Sequence, residues 1–84
     1  MSVRSDILDQ FKQVAQEQDK RLGSLADDVP LLDLGLDSLG FAIVVSRLEA
    51  VLGVDPFSDD EGVSFPVNLG EFVGFYENAV QKRR

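Results

Sequence analysis

The chain has no cysteine and no histidine. Without cysteine there is no disulfide framework, no zinc–thiolate centre and no thiol redox chemistry. Without histidine, general-base and triad chemistry loses its usual proton carrier. Carboxylates and lysines are what remain of the catalytic toolkit. Positive charge is scarce as well. Between Leu22 and Gln81 only Arg47 is basic, against eleven acids, a net −10 within a chain of net −7. Such a field disfavours nucleic acid and anionic membranes and steers basic partners. It also keeps a small protein soluble. No apolar run approaches the ~20 residues of a membrane span. The start, MSVRSDILDQ, lacks the apolar region of a signal peptide. A cytoplasmic location is the expectation.

What is present suits one small globular unit. The 84 residues are 44% apolar, enough for a single core and too few for a deep enclosed active site beside it. One domain over 1–84 is expected. Val3, Ile7, Phe11, Val14 and Ala15 recur at helical spacing, with Leu8 widening the stripe, and predict a helix over about 3–19. Ser2 or Ser5 can cap it, and Asp6 and Asp9 suit its positive end. Lys20 and Arg21 suit its negative end, and Gly23 is a candidate left-handed stop.

Residues 24–37 keep no helical period. Leu25, Val29, Leu31, Leu32, Leu34 and Leu36 nonetheless predict a long ordered loop pinned to the core by leucines, and such loops are often functional. A second helix is expected over 38–52. Its core face is Phe41, Val44, Val45, Leu48 and Leu52. Leu39, Ile43, Ser46 and Ala50 fall nearly opposite, and Gly53 ends the helix. Ser58, followed by Asp59, Asp60 and Glu61, predicts a short third helix over 58–62, stopped by Gly62. The last helix is expected over about 69–81. Asn68 caps it, Glu71 completes a capping box, and Leu69, Phe72, Val73, Tyr76 and Val80 form its inner face.

The stretch LLDLGLDSLGF, residues 31–41, carries the chemistry. A nucleophile elbow would need glycine two residues before Ser38, where the chain has Leu36. It would also need a histidine and a parallel sheet. A calcium loop would need alternate oxygen ligands, a glycine at its sixth position and a glutamate at its twelfth. Neither DLGLDS nor DDEG has that spacing, so no metal site and no catalytic residue is assigned. Ser38 can also be an ordinary helix cap, or a site where another enzyme attaches a group.

DLGLDSL, residues 33–39, strongly resembles the attachment motif of the acyl carrier protein family, LGxDSL. The likeness extends over nearly the whole chain in the expected order of helices and loop, in length and in acidic balance. It implies an all-α fold, a small four-helix bundle with a long first loop and a short third helix. It implies that Ser38 carries covalent 4'-phosphopantetheine, installed from coenzyme A by a phosphopantetheinyl transferase. Cargo would be held as a thioester on the arm's thiol, so the prosthetic group would supply the sulfur that the chain lacks.

The neighbours have physical roles of their own. Gly35 permits a turn that a side chain would resist. Asp37 can cap the helix, and in the family it can also assist the transferase. Ser38 at the helix start sets a phosphodiester near unpaired amides and the positive dipole end. Leu36 and Leu39 bracket the site with apolar contacts. Partner docking is expected through Leu36, Leu39, Ala42, Ile43, Ser46 and Arg47. The helix over 38–52 departs from the glutamate-rich fatty-acid pattern: it has Glu49 and Arg47 only, with Gly40 where an acid is frequent. The resemblance therefore implies a stand-alone, monomeric, non-catalytic carrier in a specialised pathway. It would be served by an acyl- or aminoacyl-activating ligase and downstream acyl-transfer enzymes, with no nucleic-acid or membrane partner. The alternatives are an unmodified interaction protein on the carrier fold and a housekeeping carrier of fatty acid synthesis.

Overall fold

The computed structural model describes residues 2–57 and 66–82. Three α-helices follow in order, α1 Val3–Glu17, α2 Ser38–Leu52 and α3 Leu69–Lys82, with a 3-10 turn at Leu31–Asp33 in the loop between α1 and α2. Among the described residues there is no strand, and Pro30 and Asn68 form an isolated antiparallel bridge. Among the described residues the fold is all-helical as expected, with three α-helices of the four expected. The short helix expected over 58–62 lies outside the described residues.

The helix ends follow local chemistry. Ser2 Oγ accepts the Ser5 amide at 3.0 Å and starts α1. The helix stops at Glu17 because Asp19 takes a left-handed φ of 56°. Asp19, not Gly23, is therefore the left-handed stop. The Gly23 amide instead donates to the Leu34 carbonyl at 3.0 Å. Gly53, with φ 73°, closes α2. At α3 the Asn68 carboxamide oxygen accepts the Glu71 amide at 2.8 Å. Glu71 reaches back one residue further than in a standard box, accepting the Val67 amide at 2.8 Å.

The core is the meeting of four apolar sets. Ile7, Phe11, Val14 and Ala15 come from α1, and Val44 and Leu48 from α2. Leu69, Phe72, Val73 and Tyr76 come from α3, and Leu34 from the loop. Each large side chain contributes about 1.5–3 kcal/mol by leaving water, before the cost of ordering it. Phe72 is the aromatic hub. Its ring centroid lies 5.6 Å from Phe11, 5.3 Å from Phe41, 5.9 Å from Phe57 and 5.1 Å from Tyr76. Burial pushes the Tyr76 phenol well above its ordinary pKa, with the charges of Asp55 and Glu49 adding to the shift.

Two sequence expectations need correction here. Leu32 does not pin the loop; it is 93% exposed, while Leu25, Val29, Leu31 and Leu36 pack on the core. Ile43 is not on a free outer face; it is half-buried and packs against the core cluster. The helical wheel placed Ile43 opposite Phe41, but the end of α1 meets α2 on both sides of Ile43, with Gln18 against Gly40 and Glu17 paired with Arg47. Phe41, Val45 and Leu52 are half-buried on the core face.

The loop is fastened on two sides. The Leu31 amide donates to the Val67 carbonyl at 2.9 Å, and the Leu69 amide to the Val29 carbonyl at 3.0 Å. Arg4 makes a two-point pair with Asp27, whose carbonyl accepts the Gly70 amide at 2.9 Å. Arg47 of α2 makes a two-point pair with Glu17 of α1. No helix among the described residues is long and apolar enough to cross a membrane.

Candidate functional site

Ser38 opens α2 with its side chain exposed. The residue before it does the capping: Asp37 Oδ1 accepts the Gly40 amide at 2.8 Å, satisfying one of the unpaired donors of the first turn. The Asp37 carbonyl accepts the Phe41 amide at 3.0 Å, the first bond of the helix proper. Asp37 Oδ2 faces Lys20 Nζ at 3.8 Å.

The turn that delivers this pair depends on Gly35. Its φ is +106°, and a Cβ there would collide with the Arg21 carbonyl oxygen. Gly40 is buried, and a Cβ on it would stand 2.7 Å from Gln18 Oε1 and 3.3 Å from Asp37 Oδ1. A side chain there would have to displace the end of Gln18 and would crowd the capping carboxylate.

Beside Ser38 lies an apolar groove of about 770 Å³. Leu31, Leu36, Phe41, Ala42, Val45 and Phe57 line much of it, and Asp37 and Ser38 are also among its lining residues. Pro30, Leu32, Pro66 and Val67 also line it, from the loop and from the chain entering α3. Leu32 at 93% and Val67 at 67% exposure are among them. Phe41 and Phe57 both meet Phe72, so the groove is built on the core's own aromatic cluster.

The expected docking residues divide into distinct settings. Leu39 is 62% exposed, and Ala42 and Ser46 are exposed. Leu36 and Ile43 are half-buried. The Arg47 guanidinium is engaged by Glu17, so it presents less net charge than the sequence suggested. Glu49 is the exposed acid of α2. Reasoning from sequence missed Gln18 and Lys20 at the site, and also Phe57, Pro66 and Val67 in the groove. No local pattern marks them, because tertiary contacts bring them there.

A family model described as a phosphopantetheine attachment site matches residues 5–60, more than half of the chain. Curated proteins and solved structures offer no match. Proteins of the matched family carry covalently attached 4'-phosphopantetheine. The residues present fit such a group. An exposed hydroxyl stands at a helix start, where amides and dipole favour a phosphodiester. An apolar groove lies alongside it. Among the described residues no cluster of acids could hold a metal ion.

Proposed function

Because the chain belongs to the phosphopantetheine attachment-site family, we propose that Ser38 is the residue that carries the arm. The observation behind this is the position of its hydroxyl: exposed, first in α2, directly after a capping aspartate and among the residues lining the groove. The group supplies a terminal thiol for thioester-linked cargo. The chain's own residues do the rest. Asp37 orders the first turn, Gly35 makes the turn possible, and Leu36 and Leu39 flank the attachment point. Residues 1–84 act as one non-catalytic, cytoplasmic carrier unit that presents cargo to successive enzymes and raises its effective concentration at each.

The groove favours uncharged cargo, aliphatic or aryl, over cargo with a free ammonium group. Among the described residues that line it only Asp37 is charged, and Asp37 is engaged by the Gly40 amide and Lys20. A charged group entering such a groove loses hydration without a partner. Docking runs through the weakly charged face of α2, Leu39, Ala42 and Ser46, which suits a specialised acyl-activating ligase and acyl-transfer enzymes. Intact-mass measurement after incubation with coenzyme A and a broad-specificity phosphopantetheinyl transferase tests the attachment. The wild type should gain the mass of one arm and Ser38→Ala none. An unmodified wild type would favour an interaction protein on the same fold.

A further inference from the structure

The segment after α1 runs antiparallel to the approach to Ser38. The Gly23 amide donates to the Leu34 carbonyl at 3.0 Å. Gly35 backs onto the Arg21 carbonyl, and Lys20 Nζ faces Asp37 Oδ2 at 3.8 Å. Lys20 is delivered there by the left-handed Asp19 and by its own amide, which donates to the Ala15 carbonyl at 2.8 Å. These four backbone features fix the backbone of Lys20 beside the start of α2. Other cations are committed elsewhere, Arg4 to Asp27 and Arg47 to Glu17. Lys20 also lines a shallow depression of about 380 Å³ with Lys12, Arg21 and one acid, Asp19, a surface of net positive charge on an acidic chain.

The ion pair itself explains little. Its side chains are 43% and 52% exposed, and such pairs contribute almost nothing to folding. Attachment at Ser38 changes the balance. A phosphodiester adds a negative charge one residue from the Asp37 carboxylate. Asp37 spends one oxygen on the Gly40 amide, so the two anions compete for the same helix start. A lysine is a compact charge on a flexible stem, able to face both anions.

Resting on the reading of Ser38 as the attachment residue, we infer that Lys20 is the counter-charge for the phosphodiester. It is a positioning residue that lets Asp37 keep its cap once the arm is in place.

The test compares apo and holo forms of the wild type, Lys20→Ala and Lys20→Arg. The readouts are urea unfolding and the phosphorus resonance of the phosphodiester. The apo midpoints of wild type and Lys20→Ala should coincide. The holo midpoint of Lys20→Ala should fall below that of holo wild type by about 0.3–1 M urea, and its phosphorus resonance should move. Lys20→Arg should restore both, and 1 M salt should erase the difference, since the screening length is then only about 3 Å. A holo-minus-apo difference that Lys20→Ala leaves unchanged overturns the inference, including the case in which both forms weaken equally. Lys20→Gln, which keeps a polar side chain, repeats the comparison if Lys20→Ala does not fold. The mass spectrum separates the two claims. Failure of wild type to take up the arm removes the attachment reading and this inference with it. Normal uptake with no Lys20 effect removes the inference alone.

Discussion

Gly35 stands against the Arg21 carbonyl oxygen with φ +106°, and no side chain fits between them. This contact sets the turn that leads into Asp37 and Ser38. Gly35→Ala should destabilise the fold by about 1–3 kcal/mol through backbone strain alone, with the steric clash adding to it. Chemical denaturation of the apo protein measures this. A change within about 0.5 kcal/mol, the range of an ordinary surface substitution, would mean that the turn relaxes freely.

Asp37 combines two roles that substitution can separate. Asparagine caps a helix about as well as aspartate, whereas alanine costs about 1 kcal/mol. Asp37→Asn should therefore keep the stability of the apo protein, and Asp37→Ala should lose it. If the carboxylate also assists the transferase, both variants should be modified more slowly. Equal modification rates in wild type and Asp37→Asn would reduce Asp37 to a cap.

Two carboxylates report on the clamps between segments. The hydrogen bonds from Arg4 and Arg47, with their charge, hold Asp27 and Glu17 below the ordinary values of 3.8 and 4.5. Each contribution to stability is present above the ordinary pKa and is lost as pH falls through the lowered folded value. Urea midpoints should therefore drop on acidification below about pH 4.5, and drop less in the double variant Arg4→Ala, Arg47→Ala. Parallel acid limbs in the two proteins would show that these pairs do not couple to folding. High salt should shrink the difference, because both pairs are exposed.

Leu39 and Ile43 separate docking from packing. Leu39→Asp alters an exposed position and should change stability by no more than about 0.5 kcal/mol, yet weaken transfer with cognate enzymes. Ile43→Asp places a charge where the side chain packs on the core and should cost about 1–3 kcal/mol. Thermal unfolding and transfer assays on both variants check this. Equal stability of the two would return Ile43 to the outer face.

The sequence made the helices legible wherever apolar period and cap agreed. Ile7, Phe11 and Val14 carried α1, and Leu69, Phe72, Val73 and Tyr76 carried α3, together with the Asn68 and Glu71 cap. The DSL motif pointed to the start of α2 and to Asp37 as its cap, and the structure has both. What stayed hidden depends on contacts across the chain. The wheel for α2 could not show that Ile43 is covered. The leucine count in the loop could not show that Leu32 turns outward. The run of Asp19, Lys20 and Arg21 read as a helix end, but the left-handed Asp19 turns Lys20 toward Asp37. The groove joins residues as distant as Pro30 and Val67, linked by backbone bonds that no local pattern encodes.

Locating the arm on the peptide chain tests the central claim most directly. Trypsin should release residues 22–47 of the modified protein as one peptide, which contains Ser24, Ser38 and Ser46. Fragmentation of that peptide should place the phosphopantetheine mass on Ser38. The arm on Ser24 or Ser46, or an unmodified peptide after complete incubation with transferase and coenzyme A, would contradict the account.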